Sequence, residues 1–317
     1  MDKLTFQIEC TYDKIWNTVE LIDFLAKTQG KDIIITINPE AIDLRNLGAY
    51  DIIDCFNFRS VTIITYNPFE CHDRYKIKYL AVNRFLQEFP YIDPSLHTWN
   101  QSKIFFGLYG RPSAARLILA SHLYHAHRDK SHVHLRYSSA PNDILLFEMD
   151  KVSSYDPSWL VPVSNMIQDL PLEIAPRLFY TNTGYNFDKE PVLTTRYQDI
   201  FVDIVGETFV DGVTFFPTEK VIRAMLLKKP FIVYGSECFL EYLRQMGFYT
   251  FNDYWDECYD GYQRQQRLSK MIEVIDSLSS KPLSVLADML QHMNPLLEHN
   301  YQLLAKQTYT YKVSLIT

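Results

Sequence analysis

Short β-branched runs alternate with helix-forming segments along this chain, and that alternation constrains its fold more than any other feature. Asp32 to Asn38 and Ser60 to Tyr66 are apolar runs of strand length that end in turn residues, with a short helix expected between them at Tyr50 to Phe56. Residues 75–89 place Ile77, Leu80, Ala81, Phe85 and Leu86 at helical spacing, which predicts a longer helix. Lys103 to Leu108 reads as a third strand, followed by the turn Tyr109-Gly-Arg-Pro112 and a helix reaching about His127. Val133 to Tyr137 reads as a fourth strand. Strands and helices at this pitch imply parallel βαβ units, an α/β fold. From Ser139 to Thr194 the pattern is irregular, with prolines at 141, 157, 162, 171, 176 and 191 and one short helix expected near Val163–Leu170. The alternation resumes at Ile200 to Val205. A helix is expected over Gly235 to Gly247, and residues 262–310 read as helical with breaks near Pro282 and Pro295. A chain of 317 residues can form two domains, and the irregular stretch reads as the region between them plus surface loops.

Composition narrows the function classes. A net charge of −7 argues against a broad nucleic-acid-binding face, because counterion release needs clustered Lys and Arg. No stretch approaches 18 consecutive apolar residues, so no membrane span is expected. The start, Met1 to Cys10, lacks the basic and apolar regions of a signal peptide. Cysteines 10, 55, 71, 238 and 258 are scattered and odd in number, which fits buried thiols in a reducing, cytoplasmic setting.

The segment Thr214 to Gly235 carries the most chemistry. Thr218 is placed as an N-cap, and Val221, Ile222, Met225 and Leu226 supply an apolar face at helical spacing. Phe231 to Tyr234, between Pro230 and Gly235, suits an interior parallel strand. Glu219, Lys220 and Arg223 fall in the first turn and a half of the helix. Two roles fit them. One is a solvated i,i+4 pair between Glu219 and Arg223 on an ordinary amphipathic helix. The other is an anion site, in which Lys220 and Arg223 join the helix N-terminus to hold a diphosphate while Glu219 accepts hydrogen bonds from sugar hydroxyls.

A second segment, Lys103 to Tyr124, is a strand, a tight turn and a helix. Arg111 sits at the carboxyl end of the strand and Arg116 about one turn into the helix. They are either ordinary surface arginines or part of a ligand site, since ligands of open α/β sheets bind at the carboxyl ends of strands. In order, Gly110-Arg-Pro-Ser-Ala-Ala-Arg116 and Phe216-Pro-Thr-Glu-Lys220 through Gly235 resemble the paired motifs of a glycosyltransferase-like family found in bacteria, phages and large DNA viruses. Phe239 to Phe248, Asp256 to Asp260 and His299-Asn300 are further similar pieces, and the resemblance spans roughly residues 101–305.

The resemblance implies a GT-B-like fold: two Rossmann-like domains facing a cleft, with C-terminal helices crossing back to the N-terminal domain. It implies an acceptor-side domain at 1–150, a nucleotide-sugar-binding domain at 151–300 and a final helix at 301–317. Thr218, Glu219, Lys220 and Arg223 would line the donor site, with Glu207 facing it and Arg111 and Arg116 approaching from the other side. Glu207, Lys220 and Arg223 are the expected catalytic residues. The implied activity is transfer of a sugar from a nucleoside-diphosphate sugar to the hydroxyl of a glycan, lipid or protein, or of a hydroxymethylated DNA base in a viral setting. A nucleotide-sugar-binding module without turnover is the alternative. No cofactor and no metal ligand are expected. The sequence contains no Asp-x-Asp triplet to hold a metal on a sugar diphosphate, the nearest approach being Glu148-Met-Asp150, read as a strand end. Leaving-group charge would then fall to Lys220, Arg223 and a helix dipole.

Two other clusters stand out. His122, His125, His127, His132 and His134 lie within thirteen residues. Histidines near a helix C-terminus favour its dipole and commonly end exposed. A zinc site would need the helix end and the strand start to meet, and a general base for the acceptor hydroxyl is the third role. Asp253 to Asp260 reads as a solvated acidic loop whose aromatics pack on the C-terminal domain, with Trp255 and Tyr259 alternatively stacking on a base or sugar.

Overall fold

The computed structural model describes residues 4–11, 14–37, 41–80, 97–110, 112–135, 143–172 and 191–310. The chain divides into two compact units. One comprises Met1–Gln87, Phe209–Phe216 and Gln307–Thr317, the other Glu88–Thr208 and Pro217–Lys306.

The first unit holds a four-stranded parallel sheet of β1 (Leu4–Ile8), β4 (Asp32–Ile37), β5 (Ser60–Thr65) and β6 (Lys76–Tyr79), in that spatial order. A two-residue ribbon, β2 (Cys10–Thr11) with β3 (Lys14–Ile15), precedes α1 (Thr18–Lys27), and α2 (Ala49–Asp54) joins β4 to β5. Ile33, Ile35 and Ile37 point alternately into a core with Leu21, Leu25, Ile53 and Ile63. The segment Phe209–Phe216 belongs to this unit. Phe209 and Phe216 enter the core, the Val213 N–H donates to Asp43 Oδ2 at 2.8 Å, and Asn67 Nδ2 donates to the Val213 carbonyl at 2.8 Å.

The expected helix over 75–89 is not formed at its start. Lys76–Tyr79 is an edge strand, in which Thr62 pairs with Lys76 and Thr65 with Tyr79. Its Lys-Ile-Lys-Tyr alternation has period two, and lysines suit a sheet edge that must resist further pairing. Residues 81–96 of that expectation lie outside the described residues.

The second unit holds a four-stranded parallel sheet. Its strands are β7 (Phe105–Tyr109), β8 (Ser131–Leu135), β9 (Val202–Gly206) and β10 (Phe231–Tyr234), in the order β10-β9-β7-β8. Phe105 pairs with Val202 and Phe106 with Asp203, so the strand of the first arginine motif lies beside β9, the strand that precedes the second motif. This overturns the division at residue 150. The proline-rich stretch lies inside the second unit, because pairing between strands a hundred residues apart leaves no local mark on composition. Every residue of β7 and β9, the two interior strands, is buried; β10 is buried as well although it stands at the edge of the sheet, which corrects its expected interior place.

The helices of this unit are α3 (Ala114–Ala126), α4 (Asp143–Tyr155), α5 (Leu160–Ile167), α6 (Pro191–Asp199), α7 (Glu219–Leu226), α8 (Phe239–Gln245), α9 (Arg264–Ser279) and α10 (Leu283–Thr310). Three lie wholly or partly in the stretch expected to be irregular, of which α5 is the short helix expected near Val163–Leu170, and Glu148-Met-Asp150 is helical rather than a strand end. The break near Pro282 is present, but Pro295 is accommodated inside α10. Residues 311–317, part of the expected crossing helix, lie outside the described residues. No helix among the described residues is long and apolar enough to cross a membrane.

Lys229, in the turn before β10, is fully buried, with Nζ donating to the Thr98 carbonyl at 2.8 Å and the Ile200 carbonyl at 3.2 Å. Burial pushes its pKa from 10.5 down to about 7, against a smaller upward pull from Asp199. Between those values the unfolded chain binds more protons than the folded one, so stability rises with pH across the window. The stability difference between wild type and Lys229→Met should therefore shift in favour of wild type by about 2 kcal/mol from pH 7 to pH 9. Urea denaturation at both pH values measures it, and an unchanged difference would contradict the buried, depressed lysine.

Candidate functional site

The strand order of the second sheet locates the site. From β7 the chain winds through α3 to β8 on one side, and from β9 it winds through α7 to β10 on the other. The order therefore reverses between β7 and β9, and in open α/β sheets ligands bind outside the carboxyl ends of the strands at such a switch point. The first unit's sheet runs β1-β4-β5-β6 without a reversal.

Gly206 and Glu207 end β9 at this point. A Cβ on Gly206 would lie 3.0 Å from Arg116 Cγ, so the glycine lets the Arg116 stem pass over the strand end. Arg116 Nε donates to the Gly206 carbonyl at 3.1 Å, and the residue is buried. Glu207 is buried completely at its carboxylate. Its Oε1 accepts the Thr218 backbone N–H at 3.1 Å, and its Oε2 accepts the Thr218 hydroxyl. Thr218 is the N-cap of α7: its backbone is extended, and its hydroxyl oxygen accepts the Lys220 N–H at 3.4 Å.

Lys220 Nζ donates to Thr218 Oγ1 at 2.9 Å, to Thr208 Oγ1 at 3.0 Å and to Glu219 Oε1 at 3.1 Å, and lies 3.6 Å from Glu207 Oε2. Burial pushes the Lys220 pKa below its ordinary range. Glu219 and Glu207 oppose that shift, while Arg116 adds to it. The four side chains Arg116, Glu207, Glu219 and Lys220 thus form a group of two cations and two carboxylates around the switch point. Lys220 retains 12% of its side-chain exposure and Glu219 20%, against 0% for Glu207. Of the α7 charges, Lys220 and Glu219 are the ones a ligand can reach.

Arg223 does not join them. Its side chain is 4% exposed, lies 3.5 Å from Asp203 Oδ2, and donates through Nε to the Tyr197 hydroxyl. That hydroxyl donates to Asp203 Oδ2 at 2.5 Å. Burial raises the Asp203 pKa, opposed by Arg223 and Tyr197. Arg223 is thus the counter-ion of a carboxylate on β9, which corrects its expected place against the diphosphate. Arg116 is corrected too, since it stands in the same unit as Lys220 instead of approaching from another domain. Arg111 lies outside the described residues.

No family model, curated protein or solved structure matches this chain. The site therefore stands on its own geometry.

That geometry revises the helix-dipole expectation. The N-terminus of α7 already faces a carboxylate, Glu207. At α3 the Ala114 N–H donates to Glu148 Oε2 at 2.8 Å, and at α8 the Leu240 and Glu241 N–H groups donate to Asp260 at 2.9–3.1 Å. Each anion comes from a different element, so the caps at α3 and α8 were invisible to local sequence rules. Arg267 was also missed. It is buried, bonded through Nη1 to the Gly235 carbonyl at the end of β10 and through Nε to the Tyr262 carbonyl at 2.7 Å. Trp255 and Tyr259 are buried, as the packed-aromatic reading of this loop expects, which removes them as stacking platforms; Asp253 and Asp256 are exposed, while Glu257 and Asp260 are buried rather than solvated. His132 pairs with Asp199 at 2.9 Å, while His122 and His127 converge on Asp276.

Arg223→Ala should lower the stability of the second unit by about 3–5 kcal/mol, because it leaves a buried carboxylate without its cation. Asp203→Asn should destabilise as well, because it leaves the Arg223 guanidinium, which stays charged, buried without its counter-ion. Guanidinium denaturation followed by tryptophan fluorescence measures both. An Arg223→Ala protein as stable as wild type would return Arg223 to a ligand-only role.

Proposed function

We propose that the chain is a metal-independent glycosyltransferase of GT-B-like fold that transfers a sugar from a nucleoside-diphosphate sugar to an acceptor hydroxyl. The observation that carries this reading is the pairing of Lys220 with Glu219 at the switch point between β7 and β9, on the first turn of α7. Two parallel-sheet units and the two motifs that resemble the glycosyltransferase-like family support it.

In this reading Lys220 exchanges its bond to Glu219 for the diphosphate, neutralising the charge that grows on the leaving group. A well-placed charge-assisted contact of this kind is worth roughly 2–4 kcal/mol in the transition state. Glu219, released, accepts hydrogen bonds from the sugar hydroxyls. Glu207 and Thr218 do not touch the donor; they hold α7 and Lys220 in place, so Glu207 is a positioning residue. The acceptor is a glycan, lipid or protein hydroxyl, or a hydroxymethylated base in a viral setting, and the chemistry takes place in the cytoplasm of the cell or infected host.

A second reading has its own observation. Glu207 and Arg223 are held by internal partners, and Lys220 has all three donors engaged. That favours a module that binds a nucleotide-sugar without turning it over.

A thermal-shift screen against UDP, GDP, ADP, CMP, dTDP and their sugar conjugates, followed by an assay for released nucleotide, separates the two. The transferase reading expects one nucleotide family to raise the unfolding temperature and to be released from its sugar conjugate. Lys220→Gln should abolish both effects, and Glu219→Gln should remove the extra stabilisation due to the sugar. Binding without release would establish the second reading. No shift with any ligand would overturn both.

A further inference from the structure

At the far end of α3 from the switch point, three side chains converge. His122 Nε2 and His127 Nε2 each lie 2.7 Å from the same oxygen, Asp276 Oδ1, and the three potential ligand atoms are all within 4.8 Å of one another. His127 is the C-cap of α3, and its departure from helical backbone (φ −135°, ψ 28°) lets its ring turn toward that of His122, five residues earlier. The ring centroids are 5.1 Å apart. Asp276 comes from the last turn and a half of α9, 149 residues beyond His127.

We propose that His122, His127 and Asp276 bind a first-row divalent transition metal, Zn2+ above all, as a clip between α3 and α9. The donor set is two imidazoles and one carboxylate, the mixture that borderline cations such as Zn2+ prefer to Mg2+ or Ca2+. Metal–ligand bonds of about 2.0–2.2 Å at tetrahedral angles separate the ligand atoms by about 3.3 Å. The two histidine–aspartate contacts of 2.7 Å need to open by about 0.6 Å to reach that spacing. Asp276, 49% exposed, has room to make that shift, and its exposed side leaves the fourth position to water.

The surroundings match those of metal ligands. Ser279 Oγ lies 3.0 Å from His127 Nδ1, so it can accept the Nδ1–H and leave Nε2 free to coordinate. Lys130 Nζ, 3.3 Å from Ser279 Oγ and 2.9 Å from the Ser279 carbonyl, anchors that serine. Trp159 meets the His122 ring edge-on at 5.9 Å, and Phe105 packs at 5.6 Å from His127, an apolar shell that fixes both rings. This pairing differs from the ones adjacent spacing suggests. His125 turns to the Pro162 carbonyl and His132 to Asp199.

The clip is separate from the proposed transfer chemistry. His122 and His127 lie eight and thirteen residues along α3 from Ala114, roughly 12–20 Å from the end that faces the switch point. The metal would hold two helices together there and would not touch a donor diphosphate.

The test is a titration of the untagged, full-length protein with Co2+ and Zn2+. One Co2+ per chain should bind with the visible absorption of a nitrogen–oxygen tetrahedral site and be displaced by Zn2+. Zn2+ should also raise the unfolding temperature. Asp276→Asn, His122→Ala and His127→Ala should each abolish the spectrum, and Ser279→Ala should weaken binding about 10–100-fold. His125→Ala and His132→Ala should leave it unchanged. Asp276→Asn is isosteric at a half-exposed position, and its circular dichroism checks that the fold survives. The proposal is overturned if no Co2+ binds stoichiometrically, or if binding persists in Asp276→Asn or His127→Ala.

Discussion

The Glu207 carboxylate is the contact on which the second unit's site depends. It is fully buried, and an unpaired charge in such a place would cost several kcal/mol. Thr218 offsets that cost with its backbone N–H and its hydroxyl, and Lys220 supplies the opposite charge at 3.6 Å. The same bonds close the base of an excursion, since the chain leaves the second unit at Thr208 and returns at Pro217. One carboxylate thereby sets where the strand stops, where α7 begins and where the Lys220 ammonium points.

The unit repeats this device. Glu148 at α3, Glu207 at α7 and Asp260 at α8 each bring a buried carboxylate to the N-terminus of a helix from elsewhere in the chain. Helix N-termini attract anions through free N–H groups and the macrodipole, and here protein carboxylates meet that attraction. An incoming diphosphate would therefore rely on cationic side chains more than on bare helix ends, which concentrates the electrostatic work on Lys220. Arg223, spaced on the helix as if to share it, instead neutralises Asp203 within the core.

Much of the fold was legible along the chain. Phe231–Tyr234 and the Thr218 cap emerge where periodicity and turn residues place them, because an apolar run between Pro230 and Gly235 has few other solutions. The first strand, Leu4–Ile8, carries a weak signal, with only two residues of its alternating pattern partly buried and one buried in full. A four-residue run such as Lys76–Tyr79 satisfies either period, and only pairing with β5 makes it a strand. In the site, residue types were legible and partnerships were not. Glu219 and Lys220 were found as a pair of charges on one turn, whereas Asp203, Tyr197, Glu148 and Arg267 carry no local signal.

By itself, the sequence determined the α/β class, the amphipathic register of α7 and the strand that follows it, since these depend on spacing within about a dozen residues. Tertiary structure alone decided that β7 lies beside β9, which of the arginines is buried as a counter-ion, and that two histidines of α3 meet an aspartate of α9. The physical reason is the same in each case. Burial and ion pairing depend on which elements come together in space, and residues of different elements leave no periodic trace of one another.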